Sequence, residues 1–375
     1  MKKWFILAAA AMLAGCSPKP VAMHIEVANP TDSERKLETV EVAWNTVTEK
    51  LGQAAVPGGV VVYDQAGAEI PSQVLYNGGS EPVSLIFQAT VAPEGTAAYT
   101  VEAGTPAEYP VQAYGRYVPE RMDDYAWENN LVAGRLYGPA LEVELVTPGI
   151  DVWVKCTDKL VIDEWFAKAD YHHNYGDGMD CYKVGPTLGG GACAPYMGDK
   201  LWLSRNYATQ QNLDNGPIRT SVRLTYAPFQ AGDDTVSLTK VISLDANTRF
   251  SKMVNTYEGD FETMPVAAGD IRHDVKGTAT GDDWAAMTEA ASDTDDPVRD
   301  GDISLAIVMP GATSVSTDNE SGHMLVIGQA ENGKPLTYWS GTAWSGAGVA
   351  DIDAWKAIVE AQAEAVANPL IVTVK

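Results

Sequence analysis

Basic residues are scarce in this chain of 375 residues. Lysine and arginine together number 26, against 50 aspartates and glutamates, which gives a formal net charge of −24 at pH 7. An electrostatic field of that sign repels nucleic acid and anionic phospholipid. The imbalance therefore argues against a nucleic-acid partner. It also disfavours highly anionic polymers, unless arginine and lysine are concentrated locally in a cleft.

Cysteine is rare as well, with four residues in the whole chain. No Cys-x-x-Cys pair or other zinc-type spacing occurs, which excludes the usual structural zinc site. Cys156, Cys181 and Cys193 lie in the body of the chain, and the last two bracket a glycine-rich turn that would suit a local disulfide. The equally weighted alternative is that all three are small buried apolar residues.

Two common catalytic motifs are missing. The glycine-rich run at 185–192 lacks the Lys-Ser/Thr of a phosphate loop, and no helical pattern follows it, so nucleotide binding is excluded. A tight turn beside a site is the expected role of this run. No Gly-x-Ser-x-Gly elbow occurs, so a serine hydrolase of that type has no support.

The beginning of the chain carries an export signal. Lys2 and Lys3 precede an apolar run at 4–13, and Leu13-Ala14-Gly15-Cys16 matches the pattern that lipoprotein signal peptidase cleaves. The run is too short to span a bilayer as a helix, so it predicts a removed targeting segment. The alternative is an ordinary secretory signal in which Cys16 happens to follow small residues.

Cleavage defines the expected mature protein. We expect a signal peptide at 1–15 and a lipidated tether at 16–21, because several acyl chains on Cys16 give stable anchoring to a membrane. Ser17, rather than an aspartate, follows the cysteine and favours the outer membrane. No acidic run follows it, which favours the periplasmic face over the cell surface.

Short alternating or β-branched stretches separated by turns predict an all-β fold for the rest of the chain. Residues 22–104 predict a small immunoglobulin-like sandwich, followed by a short linker. Residues 108–375 predict a large β-sandwich with one C-terminal helix, which Asp351 caps and Asn368-Pro369 ends. A final strand at 370–374 is assigned to the large domain.

One acidic segment breaks this pattern. Residues 277–302 contain many aspartates, alanines and threonines and a single arginine. This composition predicts an exposed loop, with a short helix at 283–291.

Polar and aromatic residues concentrate between Arg116 and Arg219. The first group, at 116–130, has the residue types that line sugar sites, where an aromatic face stacks on the pyranose and arginine recognises a carboxylate. The alternative is a salt-bridged strand edge with Trp127 in the core. The residues predicted to bind substrate are Arg116, Glu120, Arg121, Asp124, Trp127, Glu128, Arg135, Trp165, Tyr182 and Arg219.

The second group, at 171–183, contains two of the five histidines among tyrosines, aspartates and glycines. Glycine lets a loop bend so that side chains converge, and histidine serves as acid or base near neutral pH. Adjacent histidines cannot both face one way on a strand, so at most one points into a site. The predicted catalytic residues are His172, His173, Tyr175, Asp177 and Asp180.

Other roles remain open for this second group. Its histidine and aspartates would instead hold a divalent cation, with aspartate favouring calcium. A solvated loop is the plainest alternative. Elsewhere, His273 is a further acid–base candidate, with Asp274 able to orient it.

Four segments carry a resemblance to a known family, namely 117–129, 149–153, 172–180 and 216–219. Together they resemble the domain of unknown function family numbered 4861, which is common among secreted proteins of Bacteroidetes. The resemblance covers nearly the whole mature chain and implies a setting near polysaccharide-degrading enzymes and a galactose-mutarotase-like supersandwich. Such a fold hosts epimerases, hydrolases and lyases, so it fixes no reaction.

The sequence leads to a lyase or hydrolase of uronic-acid-containing oligosaccharides. β-Elimination needs a cation for the sugar carboxylate, a base for the C5 proton and an acid for the leaving oxygen. The candidates in that order are Arg121 or Arg219, His172 or His173, and Tyr175 or Tyr182. Glu120 or Asp124 facing Asp177 or Asp180 would favour hydrolysis. A mutarotase-like epimerase and a non-catalytic glycan-binding lipoprotein are the alternatives.

Overall fold

A computed structural model describes residues 21–168 and 170–375. The signal peptide and the lipidation of Cys16 that the sequence predicts lie outside these residues, as does all of the predicted tether except Val21. Within the described ranges, no helix is both long enough and apolar enough to cross a membrane.

The described part of the chain forms 26 strands and four α-helices, which confirms the all-β class and the single long helix near the C-terminus. The strands are β1 (Ala22–Ala28), β2 (Arg35–Ala43), β3 (Val60–Tyr63), β4 (Glu69–Ile70), β5 (Ser72–Leu75), β6 (Ser84–Val91), β7 (Thr96–Ala103), β8 (Ala113–Val118), β9 (Asp124–Asn129), β10 (Val132–Leu136), β11 (Ile150–Lys155), β12 (Gly178–Asp180), β13 (Gly190–Met197), β14 (Lys200–Leu201), β15 (Thr209–Asp214), β16 (Arg219–Ala231), β17 (Asp234–Asp245), β18 (Phe250–Glu258), β19 (Thr263–Ile271), β20 (Val275–Thr280), β21 (Trp284–Ala290), β22 (Asp302–Val308), β23 (Ser314–Ser316), β24 (His323–Glu331), β25 (Pro335–Trp344) and β26 (Ile371–Val374). The helices are α1 (Trp44–Leu51), α2 (Ile162–Phe166), α3 (Pro297–Asp300) and α4 (Ile352–Ala367).

The N-terminal part is a two-sheet sandwich. A sheet ordered β26-β1-β7-β3-β4 packs on a sheet ordered β2-β6-β5. Alternate residues of β1, namely Met23, Ile25 and Val27, are fully buried between the sheets, as a period of two requires. The last strand, β26, pairs antiparallel with β1 and so belongs to this sandwich rather than to the large domain. The sequence pattern predicts a strand there, but a strand pattern does not name its partner.

The larger part is built from three sheets around one core. An eight-stranded sheet, ordered β15-β16-β17-β18-β25-β22-β21-β20, packs against two five-stranded sheets, β14-β13-β19-β24-β23 and β12-β11-β10-β9-β8. Helix α4 covers the opposite face of the eight-stranded sheet. Its Trp355 stacks on Phe250 at 5.5 Å between ring centroids and donates a hydrogen bond to the carbonyl of Leu305.

Strand residues occupy nearly half of the acidic segment, including 284–290, so the expectation of an exposed loop with a helix at 283–291 is wrong. Strands β20 and β21 form an antiparallel hairpin, and β21 also pairs with β22. Ala285 and Met287 face the main core, while Ala286 faces α4. Because both faces of β21 are covered, its sequence does not alternate between apolar and polar residues.

The three cysteines of the described residues are all free. Cys181 and Cys193 are buried in the main core, which supports the small-apolar alternative over a disulfide between them. Cys156 is exposed, so that alternative is wrong for this residue.

Candidate functional site

Four charged side chains converge on the outer face of sheet β8–β12, opposite the face that packs on the main core. Arg135 on β10 pairs in register with Asp151 on β11 and forms an ion pair with it. Its guanidinium also lies 3.1 Å from Asp180 Oδ2 and 3.7 Å from Asp124 Oδ2. All four residues are at most 2% exposed. We call Asp124, Arg135, Asp151 and Asp180 the inner cluster.

Three carboxylates around one guanidinium leave an excess of negative charge in a buried place. One oxygen on each of Asp124, Asp151 and Asp180 has no hydrogen-bond partner. Burial raises the pKa of Asp124 to about 6 despite the attraction of Arg135. Burial, reinforced by Asp151, also raises the pKa of Asp180 well above its ordinary range. Within the inner cluster, burial therefore favours the protonated form of Asp180 most strongly.

Aromatic rings enclose the guanidinium of Arg135. Its central carbon lies 4.8 Å from the ring centroid of Tyr137, 5.4 Å from that of Trp153 and 5.3 Å from that of Tyr171. The Tyr137 hydroxyl and the Trp153 indole N–H both donate to Asp151 Oδ2, at 3.2 and 3.4 Å. Cation–π contacts and hydrogen bonds thus fix the position of the arginine.

Three partly exposed residues lie directly over the inner cluster. The Tyr171 hydroxyl oxygen accepts hydrogen bonds from Arg121 Nε at 3.2 Å and from Arg135 Nη1 at 3.1 Å. His172 Nδ1 lies 3.1 Å from the backbone carbonyl of Asp180. Because a carbonyl can only accept, this geometry assigns the proton to Nδ1 and leaves Nε2 as a free acceptor. We call Arg121, Tyr171 and His172 the outer group.

The two polar segments of the sequence therefore meet at one place. Arg121 and Asp124 come from the first segment and Asp180 from the second, and Arg135 joins them. Of the two adjacent histidines, only His172 contacts this site.

The remaining loop residues of the second segment form its rim. His173 Nδ1 lies 2.8 Å from Asp295 Oδ2, and the His173 ring contacts the exposed ring of Tyr175 at 4.6 Å. Asp177 lies 3.8 Å from the ammonium of Lys168. None of these contacts involves a residue of the inner cluster.

Arg116 and Glu120 form a separate surface pair. The Arg116 guanidinium lies 2.6 Å from Glu120 Oε1 and 2.5 Å from Asp163 Oδ1. Two carboxylates already satisfy this arginine, so it is not free to bind a substrate anion.

Glu128 is enclosed at the other end of the same sheet face. Its carboxylate lies 2.8 Å from Lys155 Nζ and accepts hydrogen bonds from the backbone N–H groups of Val161 and Ile162 at the start of α2. Both charged side chains of the pair are fully buried. Glu128 therefore holds α2 against the sheet instead of facing a ligand.

Four more residues predicted to bind substrate lie outside the site. Trp127 faces the main core and donates to Ser251 Oγ at 3.0 Å, and Trp165 packs behind Trp153 at 5.5 Å. Tyr182 is buried and donates to the carbonyl of Ile271. Arg219 is paired with Asp245 at 2.6 Å and Glu41 at 2.8 Å. The large aromatic side chains that suit sugar stacking are here used to fill the core.

His273 does not use the partner expected from the sequence. Its Nδ1 lies 2.6 Å from Glu289 Oε1, and its backbone N–H donates to the other oxygen of that carboxylate at 2.9 Å. A buried glutamate on β21, rather than the neighbouring Asp274, thus orients this histidine.

Sequence reasoning gave no role to Tyr171, Tyr137 or Asp151. Tyr171 lies in the second segment beside the histidines, and nothing in the sequence distinguishes it from the other tyrosines there. Asp151 was detectable as a lone carboxylate in the strand Ile150–Lys155, whose every residue is buried. A charge in such a strand requires a buried partner.

Within residues 21–168 and 170–375, no group of three or more histidine, cysteine, aspartate or glutamate side chains is arranged to hold a metal ion. The calcium alternative therefore has no ligand set there. In the inner cluster, the guanidinium of Arg135 occupies the position between the carboxylates that a cation would take.

Comparison with known proteins places this architecture in a family. Residues 27–372 match the family model described as Domain of unknown function (DUF4861). A curated relative, the "Uncharacterized protein P7" of Formosa agariphila, is 29% identical over 401 residues, covering 99% of this chain and 98% of that protein.

Two solved structures from Enterococcus faecalis share the fold. They are an alpha-mannosidase at 9% identity and a protein in the Glycosyl Hydrolase Family 38 at 10% identity, both with a TM-score of 0.54 over 96% of this chain. The chain spans only 46% and 48% of their lengths, and at such identity the likeness concerns the fold alone. By its family match, the chain belongs to the Domain of unknown function (DUF4861) family.

Proposed function

We propose that this protein is a carbohydrate-active enzyme that cleaves uronic-acid-containing oligosaccharides by β-elimination at the outer group. The supporting observation is the Tyr171 hydroxyl, whose oxygen receives N–H donors from two guanidinium groups. Two cationic donors stabilise negative charge on that oxygen, so Tyr171 can give up its proton to a leaving group. The fold shared with glycoside hydrolase family 38 proteins adds support for a carbohydrate substrate.

Arg121 is the cation available for a sugar carboxylate. Among the four arginines predicted to bind substrate, Arg116, Arg135 and Arg219 each have at least one carboxylate in ion-pair contact. Within the described residues, Arg121 has no such partner and is half-buried beside Tyr171. A single free guanidinium offers bidentate recognition of one carboxylate.

The proposed catalytic roles depend on which residue can accept a proton and which can donate one. His172, with Nε2 unprotonated, takes the C5 proton. The C4–O4 bond breaks as the double bond between C4 and C5 forms, and the Tyr171 hydroxyl protonates O4. The excess proton on His172 then returns through solvent to the Tyr171 oxygen, which restores the enzyme.

The inner cluster positions these groups rather than reacting. Arg135 donates to Tyr171, and the backbone carbonyl of Asp180 orients His172. Asp124 and Asp180 are at most 1% exposed, so a glycosidic oxygen cannot reach them as a pair of carboxylates. This burial favours elimination over hydrolysis.

The test uses the purified mature chain with candidate uronic-acid oligosaccharides, following the ultraviolet absorbance of the unsaturated uronate. We expect Tyr171→Phe to lower kcat by about 10²–10⁴-fold, because general acid catalysis contributes that much. Tyr63→Phe, in the N-terminal sandwich, is the matched control and should leave turnover unchanged.

Other outcomes separate the alternatives. New reducing ends without a rise in absorbance would indicate a hydrolase. Binding of the oligosaccharides without any turnover by the wild-type protein would identify a glycan-binding lipoprotein instead and overturn the enzymatic proposal.

The proposed location is the periplasmic face of the outer membrane, with Cys16 carrying the lipid. The sequence Leu13-Ala14-Gly15-Cys16 supports this anchor. Cys16→Ser should abolish acyl labelling and release the protein into the soluble periplasmic fraction. Digestion of the wild-type protein by protease added to intact cells would place it on the cell surface instead.

A further inference from the structure

Lys240 is a lysine buried in the core of the larger part. It lies on β17, between Leu238 and Ile242 on the face that packs on the main core, and is 1% exposed. In an antiparallel sheet, residues paired across strands share a face, so Asn255 of β18 lies beside it.

The ammonium group of Lys240 has no carboxylate in ion-pair contact within the part of the chain that the structure describes. The ring centroid of Tyr226 lies 5.3 Å from Lys240 Nζ. Two buried polar atoms nearby, the Tyr226 hydroxyl and Asn255 Oδ1, also have no hydrogen-bond partner. A buried charge without a counter-charge is destabilising, so this part of the core lacks a negative charge or acceptor to balance Lys240.

A narrow cleft reaches Lys240 from the side of β13. Cys193 and Ser204 contribute polar atoms to it, and the other walls are apolar, among them Leu203 and Phe229. The cleft has room for about one water-sized group.

We propose that this cleft binds one small monovalent anion, of the size of chloride, against the ammonium group of Lys240. The site is separate from the outer group and joins β17 of the eight-stranded sheet to Cys193 of β13. A neutral ligand would leave the positive charge unbalanced, and a sugar or phosphate ester would not fit.

The charge state of the lysine is consistent with this site. Burial lowers the pKa of Lys240 to about 8, and the nearby Cys193 thiol opposes this effect only in part. Below that value the side chain is still mostly protonated, so a positive charge faces the cleft at neutral pH.

The test is the thermal unfolding midpoint of the full-length mature protein at constant total sodium. Sodium gluconate, whose anion is too large for the cleft, is replaced stepwise by sodium chloride, sodium bromide or sodium formate. We expect chloride and bromide to raise the midpoint by about 1–3 °C, because a ligand that binds the folded state stabilises it. A rise with formate as well would extend the site to small carboxylates.

Two variants make the result specific. Lys240→Met, which keeps the length of the side chain but removes its charge, should lose the anion dependence. Lys252→Met, on the exposed face of β18, should keep it. Equal responses of wild type and Lys240→Met would overturn the proposal.

Crystals grown in sodium bromide give an independent measurement should Lys240→Met fail to fold. An anomalous peak in the cleft beside Lys240 of the wild-type protein supports the site. A cleft without a bromide peak overturns it.

Discussion

Two buried ionic groups occupy opposite ends of the same face of sheet β8–β12, and they differ in completeness. In the pair of Lys155 and Glu128, the lysine also donates to the carbonyl of Asn129, and the carboxylate accepts two backbone N–H groups. In the inner cluster, three carboxylate oxygens remain without a hydrogen-bond partner, and partly exposed residues lie directly above. The complete group is structural, and the incomplete one supports the candidate site.

This difference teaches how a buried charge should be interpreted. Glu128 and Arg135 come from one stretch of sequence and were predicted to share a role. Their hydrogen-bond partners, not their residue types or burial, separate them. Each of the following predictions tests one side of this comparison.

The largest expected effect is on the complete pair. Glu128→Ala leaves the buried Lys155 charged and without its carboxylate partner. The variant should lower the free energy of unfolding by about 3–5 kcal/mol. Denaturation in urea measures the loss. The double variant Glu128→Gln, Lys155→Met removes both charges and should lose much less. A loss below about 1 kcal/mol in Glu128→Ala would mean that the pair does not stabilise the sheet.

The inner cluster should respond in the opposite direction, because Asp124 is an acid with a raised pKa. Its folded-state pKa is about 6 against an ordinary 3.8, so the stability it contributes is complete below the ordinary value and is lost as the pH rises through 6. Asp124→Asn resembles the protonated acid and keeps an acceptor for the Gly138 N–H. The variant should equal wild type near pH 4 and be more stable by about 2 kcal/mol at pH 8.

Urea denaturation across that pH range checks the Asp124→Asn prediction. Parallel pH profiles for variant and wild type would contradict it, since they would show that Asp124 is not the group that titrates.

The smallest effect is expected at the surface pair. Glu120→Gln removes an exposed partner of Arg116, which keeps Asp163. The free energy of unfolding should change by less than about 1 kcal/mol, as for most exposed ion pairs. Turnover should stay close to that of wild type. A marked rise in KM would instead return Glu120 to the substrate site.

The sequence predicted the all-β class, several of the strands and the long C-terminal helix correctly. Alternation identified β1, and the stripe on α4 with its cap at Asp351, which accepts from the Ala354 N–H, was correct. The strand β21 was missed because it is covered on both sides, by the core and by α4, so no alternation marks it.

The sequence indicated which two segments form the candidate site, but it did not indicate which of their residues contact each other. The segments at 116–130 and 171–183 do meet, yet a residue list cannot show which face each side chain takes. The alternation of side chains along a strand indicates part of this arrangement. Asp124 and Ala126 share the outer face of β9, while Trp127 points to the core. The positions of Arg135 and Asp151 opposite each other depend on strand register, which no local pattern specifies.

The pairing of β26 with β1 has a consequence for how the protein is made. Ile25 near the start of the chain is matched with Val374 near its end. During synthesis, the first strand must keep one edge without its partner until β26 emerges. Such an open edge can pair with another chain, and contacts this distant in sequence form slowly. Folding of the N-terminal sandwich therefore cannot be completed before β26 is made, although its first strand is made first.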